Sequence, residues 1–409
     1  MNHVDNQYSI KTSDLGKWPK LALVGGVVGF VLIIALLLLV QGDFQKGLYF
    51  RSYLVGFIFW FNMAAGCLFW LMVQHLSGGA WGVMIRRITE AGSKMMLWSL
   101  LFIIPLLFGL HYIYEWTHTD IVKHDHVLAQ KSAYLNVTGF YWRLAAYAVI
   151  WGWLAYRLSG LSTKQDRGID PALTLSMKRW SAAGLLLLLM TMTFAAIDWM
   201  LSLEPHFSSS MYGPCVLTGQ ALGSMAFIVA LLVVLVAKSP LKNRITSGHV
   251  HDYGNFLLAG TMFWAYVNFA QFLIIWSANV AEQVPYYLRR MTGGWGWVGA
   301  ILICFHFFAP FLLLLNRKIK RDINVLVKLA YLIMVLRFVD LCYLILPAAH
   351  QENGYQGHMD ILPIIAAAVA VIGIGGLWLA WFFKLLVQRP LLPVNDPYLQ
   401  EALEFRGGH

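Results

Sequence analysis

At 409 residues, the chain is 59% hydrophobic and 12% charged, with a mean hydropathy of +0.63 and a formal net charge of +10. Soluble domains carry about 45 to 50% apolar and about 25% charged residues, so this composition excludes a soluble globular fold and points to an all-α polytopic membrane protein. The four cysteines, Cys67, Cys215, Cys304 and Cys342, stand singly in apolar segments with no CxxC or CxxCH spacing, which excludes covalently attached haem and leaves no ligand set for a cysteine-held iron–sulfur cluster or a structural zinc.

In chain order, a polar leader over 1–20 precedes an apolar run at 21–40, too long and too poor in small residues at its end for a cleaved signal peptide. Further runs of spanning length are expected near 52–74, 95–114, 136–158, 180–201, 213–237, 254–278, 296–315, 325–348 and 361–385. That gives ten helices in a transmembrane domain over 21–385, with both termini on one side and a polar, proline-punctuated arm over 386–409. The longer loops are 115–135, 159–179 and 346–360. Of the 30 Lys and Arg, 22 fall on the terminal side, among them Arg86, Arg87, Lys238, Lys242, Arg389 and Arg406, six fall on the other, and Arg143 and Arg337 lie inside helices. By the positive-inside rule the terminal side is cytoplasmic. These basic runs read as topogenic loops at the lipid surface, with no nucleic-acid role. Gly25 and Gly29 make a GxxxG spacing, a weak packing signal in a glycine-rich membrane protein.

The stretch from His251 to Trp295 stands out, because it is apolar enough to cross a bilayer yet carries Asn268, Gln271, Asn279 and Glu282. At about 100° per residue, an unbroken helix aligns Trp264, Asn268, Gln271, Ile275, Asn279 and Glu282 on one stripe. That stripe is the expected wall of a functional site, with the rest of the chain enclosing it. Elsewhere at bilayer depth lie Arg143, Asp198, Arg337, Asp340, His111 and His306. A charge at mid-membrane costs about 2.5 to 3.5 kcal/mol, so pairing is expected, and Arg337 and Asp340, three residues apart, can neutralise each other. Helix directions put Asp198, Asp340 and Arg143 in the outer half, with Glu204, Asn279 and Glu282 at helix exits there. The polar groups are therefore expected to converge on one outer cluster. Asp198 shares a helix face with Ser202 and Thr191.

A quinol needs an apolar slot, hydrogen-bond partners for its oxygens and groups that take two protons. Asp198, Glu282 and Asp340 suit proton exchange, Arg143 and Arg337 suit countercharges, and Trp264, Asn268 and Gln271 suit a wall. His306 reads either as a packed neutral histidine or as a proton relay. The same set would serve a proton path without quinone. His111 and His306 are each solitary in their helices, a poor pattern for haem ligation, and His111 reads instead as an interface residue.

Four stretches are similar to a known family: DWMLSLEPHFSSSMYG at 198–213, FWAYVNFAQFLIIWSANVAEQVPYYLRR at 263–290, FHFFAPFLLLLNRKIKRD at 305–322 and RFVDLCYLILP at 337–347. Together they resemble the F-type membrane subunit of alternative complex III, in the NrfD-like superfamily that also holds the polysulfide reductase membrane subunit. In helix count and order the resemblance covers about 20–385. It implies two side-by-side four-helix bundles, helices two to five and six to nine, flanked by the first and last helices. It also implies a respiratory quinol:electron acceptor oxidoreductase complex in a bacterial cytoplasmic (inner) membrane. Within that complex this chain would hold no redox centre of its own, quinone or menaquinone would be the ligand, and haem c and iron–sulfur clusters would sit in partners. The implied partners are a second NrfD-like membrane subunit, a periplasmic iron–sulfur protein, multihaem and monohaem c-type cytochromes, and a terminal oxidase. The positions that match the family are Asp198, Glu204, His206, Asn279, Glu282, His306, Arg337 and Asp340. Where the family reads Pro-Glu-Glu after Asn279, this chain has Ala281-Glu282-Gln283, which removes one carboxylate from a two-acid proton relay.

Two rival classes share these features. A stand-alone proton-coupled transporter also keeps paired charges at depth, but favours Gly/Pro-interrupted helices in corresponding halves, a pattern this sequence lacks. A structural scaffold would use its buried charges to fix helix register.

Overall fold

Short polar side chains start many of the long helices in the computed structural model, which describes residues 8–12, 14–236, 244–348 and 359–405. Asn136, Asp170, Asp322 and Asp360 each accept a first-turn backbone N–H at 2.7 to 3.0 Å, an N-cap worth about 1 kcal/mol. Among the described residues every regular element is helical. The long elements are α1 (Trp18–Leu39), α2 (Asp43–Ser77), α3 (Arg86–Leu101), α4 (Val137–Gln165), α5 (Pro171–Trp199), α6 (Tyr212–Val236), α7 (Ser247–Ala278), α8 (Trp295–Leu315), α9 (Ile323–Ile345) and α10 (Ile361–Leu386). Nine helices among the described residues are long and apolar enough to cross a membrane. The expected tenth, α4, is helical over 29 residues but falls short in hydropathy, since it carries Arg143, Arg157 and Lys164. Lys238, Lys242, Arg406 and most of the expected 346–360 loop lie outside the described residues.

Several helices outrun the hydropathy reading into polar sequence: α2 begins at Asp43, not 52, α7 at Ser247, not 254, and α4 and α5 extend to Gln165 and from Pro171, which leaves only 166–170 of the expected 159–179 loop. Two further differences have identifiable local reasons. The run expected at 95–114 begins at Arg86, and it breaks at Phe102 and Ile103 before continuing as Ile104–Phe108. Pro105 cannot donate to the helix ladder, and its ring crowds the preceding turn. The expected loop at 115–135 contains short helices Thr119–His124 and His126–Lys131, the second capped by Asp125 through the N–H groups of Val127 and Leu128.

The centre of the molecule is α2, buried along nearly its whole length. It packs against α3, α5, α6, α9 and α10. Contacts run from α2 to α3, α3 to α4, α4 to α5 and α5 back to α2, and a second circuit joins α6, α7, α8 and α9. Small residues admit the close approaches: Gly56 meets Ala370 of α10, Gly375 meets the Trp60 ring, and Gly66 meets Ser224 of α6. Trp60 Nε1 then donates to Val371 O at 2.8 Å, and Trp70 Nε1 to Ala221 O at 2.9 Å. Such contacts matter because lipid tails are as apolar as leucine, so close packing and interhelical hydrogen bonds carry the association.

The α1–α10 contact is made by Gly26 and Gly29 against Gly376 and Gly373, while Gly25 of the GxxxG spacing has nothing near it. A Cβ on Gly29 would lie 2.9 Å from the Gly373 Cα. Gly29→Val is expected to destabilise the protein by about 1 to 3 kcal/mol through overpacking, whereas Gly25→Val is expected to change nothing. Thermal unfolding in detergent, compared between the two variants, checks this.

Candidate functional site

At Asn279 the backbone turns left-handed, with φ of 47°, and ends α7. The stripe expected along an unbroken helix therefore stops at Ile275. Trp264, Gln271 and Ile275 are buried and Asn268 is half-buried, while Asn279 and Glu282 lie beyond the helix on the exposed surface. After them, Pro285 starts the helix Val284–Met291, which turns Tyr286, Tyr287 and Arg290 back toward α7.

The result is a cavity of about 730 Å³ between α7, α8, α9 and this short helix. Its floor and sides are apolar, with Phe272, Leu302, Phe307 and Phe311 among them, and Tyr266, Phe269 and Ile303 at its margin are largely exposed on the outer surface. Its polar groups include Trp264, Asn268, Gln271, Tyr286, Tyr287, Arg290, Asp340 and Tyr343. Gln271 accepts from Ser209 Oγ at 3.0 Å and from Cys215 Sγ at 3.9 Å, and donates to Tyr287 Oη at 3.2 Å. Asn268 Nδ2 donates to Trp264 O at 2.8 Å, within its own helix. The volume lies within the roughly 300 to 1,000 Å³ typical of small-molecule sites, and the pattern of an apolar slot with few polar groups is theirs too.

The ionisable residues do not converge on one cluster but form separate pairs. Arg337 Nη1 binds Asp340 Oδ2 on α9, and the guanidinium rests where Gly219 of α6 has no side chain. Arg143 Nε donates to Asp198 at 2.9 and 3.1 Å, and Tyr147 Oη donates to Asp198 Oδ2 at 2.8 Å. Ser202 Oγ binds the Asp198 carbonyl and Thr191 accepts from Trp151 Nε1, so neither serves the carboxylate as their shared face suggested. Glu204 is buried between Arg289 Nη1 and Arg290 Nη2, each 2.7 Å away. Arg290, only 1% exposed, also donates to the carbonyls of Tyr286, Tyr343 and Leu344 and lies 3.5 Å over the Tyr286 ring. It thereby links Glu204 to the cavity wall. His206 contacts Asp125 Oδ2 at 2.7 Å outside the spans. Burial works against the Asp125 carboxylate, but the N–H of Leu128, then His206, outweigh it and hold the group below its ordinary value.

His306 sits behind the cavity in a π-helical turn, Leu302–Phe308, of α8. It is fully buried with its ring edge-on to Trp264, centroids 4.2 Å apart, and neither ring nitrogen has a hydrogen-bond partner among the described residues. His111 is exposed and lies against the His118 ring, centroids 3.8 Å apart and tilted by 35°, so the two rings expected as weak haem candidates occupy different neighbourhoods. An unpartnered buried imidazole contributes little to folding. His306→Phe is therefore expected to leave thermal stability unchanged or slightly raised; a fall of several degrees would show that the ring nitrogens have partners in the folded protein.

The sequence reading missed Tyr286, Tyr287, Arg290 and Tyr343. Pro285 was the available signal, since proline at a helix start redirects a chain that hydropathy treats as a plain exit. It also misread Arg86, Arg87 and Arg389 as lipid-surface charges. Arg86 and Arg87 are 1% and 3% exposed. Arg86 binds Glu90 and Asp396, Arg87 binds Glu90 and Asp166, and Arg389 Nη1 lies 3.5 Å from Glu90 Oε2. The carboxyl-terminal segment that supplies Arg389 and Asp396 is packed on the body, with Leu391 and Leu392 buried and Leu391 N–H bonded to Tyr8 O.

These helices define a multi-pass α-helical membrane protein with a side-opening apolar cavity. No protein-family model matches the chain, and no curated protein matches it.

Proposed function

We propose that this chain is the integral membrane subunit of a respiratory quinol:electron acceptor oxidoreductase complex, of the alternative complex III type, and that it binds the quinone ring. The observation that carries the reading is the cavity: a slot of about 730 Å³ whose apolar walls reach the outer surface and whose polar groups include Asp340, Gln271 and Tyr287. A lipid-soluble quinone would enter from the bilayer, lay its tail along the phenylalanines and set its oxygens against the polar groups. Asp340 would exchange the proton there. In this reading α4 is counted as a tenth span, supported by the pairing of Arg143 with Asp198, and the two contact circuits are two four-helix bundles. Both termini face the cytoplasm of a bacterial inner membrane, as the basic residues suggest. Electrons pass to the haem c and iron–sulfur centres of partner subunits.

The test is gentle purification from the native membrane, followed by visible absorption, subunit mass analysis and quinone extraction. Co-purifying c-type haem, an iron–sulfur protein, a second membrane subunit and bound quinone are expected. A colourless, solitary protein without quinone would sink the reading. A scaffold role is the second reading, favoured by the closure of Arg143–Asp198 and Arg337–Asp340 as internal pairs. It requires that Asp340→Asn leave quinol oxidation by the assembled complex unchanged.

A further inference from the structure

We infer that a hollow on the face of α5 beside α4, at the end of these helices where basic residues gather, is a binding site for an anionic phospholipid. This second hollow, of about 460 Å³, is lined by Ala172, Leu175, Ser176, Arg179, Trp180 and Ala183. Trp180 of that lining is flanked from α4: Trp153 meets its ring edge-on with centroids 4.8 Å apart, and the Arg157 guanidinium lies 5.6 Å over it. Arg157 and Arg179 are both exposed, and neither has a carboxylate partner among the described residues. The two nearest acids in sequence are already engaged: Asp170 caps α5 by accepting Ala172 N–H at 2.8 Å, and Asp166 is paired with Arg87. Lys178 is directed elsewhere, toward the Tyr398 ring.

Apart from Arg179 and Ser176, the rest of the lining is apolar. Leu175 lies in the hollow, and Leu186 and Leu187 follow on α5, all exposed. Two unpaired guanidiniums above an exposed leucine track need an occupant that is anionic at one end and apolar at the other. Free phosphate would satisfy the arginines and leave the leucines; a zwitterionic lipid would cover the leucines without net charge for the arginines. An anionic phospholipid does both, with its phosphate between Arg157 and Arg179, its glycerol within reach of Ser176, and its acyl chains along Leu175 and Leu186. The inference is independent of the quinone reading and needs only that these helices lie in a bilayer.

The probe is phosphatidylglycerol with brominated acyl chains, a minority component in phosphatidylcholine vesicles holding the full-length protein, with the reverse labelling as control. Bromine near Trp153 and Trp180 quenches their emission, and Trp153→Phe/Trp180→Phe identifies that part of the signal among the 17 tryptophans. About 1 kcal/mol per basic residue near the surface corresponds to roughly fivefold each, so a preference for phosphatidylglycerol of at least several-fold is expected. Arg157→Gln/Arg179→Gln should abolish the preference and Arg157→Lys/Arg179→Lys should largely keep it. In the unmodified protein the preference should also fall as sodium chloride is raised, a readout that needs no variant. Equal quenching by the two labelled lipids overturns the inference. So does displacement by inorganic phosphate beyond that by sodium chloride at matched ionic strength, which would assign the arginines to a free anion.

Discussion

Replacing Glu90 with alanine is expected to remove the folded protein almost entirely from detergent extracts, the largest effect of any single substitution considered. Glu90 is buried and joins three guanidiniums: Arg86 Nε at 3.1 Å, Arg87 Nη1 at 2.7 Å and Arg389 Nη1 at 3.5 Å, with Ser162 Oγ donating at 2.5 Å. Three arginines are balanced there by three carboxylates, since Asp396 and Asp166 complete the set. Breaking a buried pair by deleting one partner costs about 3 to 5 kcal/mol, because the other charge stays behind without its counterion. Here the deletion affects three cations at once. Glu90→Gln keeps the shape and one acceptor and should lie between the two. Asp396→Ala should cost less than Glu90→Ala, since Arg86 keeps Glu90, but it should loosen the tail and expose the Arg389 region to protease. Size-exclusion profiles and melting of the three variants rank them; Glu90→Ala eluting and melting like the parent would refute the network.

Filling the cavity proposed to hold the quinone ring is expected to give the largest functional effect. Ala265 lines the hollow without taking part in any side-chain bond there, so Ala265→Trp adds bulk where the ring would lie while leaving Gln271 and Asp340 in place. Ring binding should weaken by at least tenfold, about 1.4 kcal/mol, which is modest against the apolar area an inserted ring would bury. Melting should change little, because the added indole enters existing space. A quinone titration of the purified protein or complex decides it. Unchanged affinity would move the quinone away from this cavity, and a collapse in stability would show that the hollow is smaller in the folded protein than 730 Å³.

Much of the site's wall was legible, because Trp264, Asn268 and Gln271 are polar-edged residues in an apolar span and their spacing puts them on one helix face. Its other wall was not. Tyr286, Tyr287 and Arg290 follow a turn whose direction depends on the left-handed Asn279 and on Pro285, and hydropathy is blind to direction. Glu282 shows the converse error: it completes the stripe only if the helix continues, and the helix ends at Ala278. Asp198 and Asp340 were each legible as buried acids needing partners. The Arg337–Asp340 pair was legible too, from their three-residue spacing within α9, but the pairing of Asp198 with Arg143 was not, since helical spacing says nothing about which side chain of α4 meets α5.

The sequence by itself determined the class of protein, the places of most spanning helices, and the need for each buried charge to find a partner, because hydrocarbon imposes these on every chain that enters it. Only the tertiary structure decided which helix is central. The stretch from His251 to Trp295 looked like the organiser, yet α7 keeps Met262, Phe263, Tyr266 and Phe269 exposed, while the unremarked α2 is buried from Gly47 to His75 with few breaks. A leucine facing lipid and a leucine facing another helix are equally at ease, so hydropathy cannot separate surface from core in a membrane. The distinction comes from close contacts of small residues, such as Gly56 on Ala370 and Gly66 on Ser224, and those exist only once the helices have met.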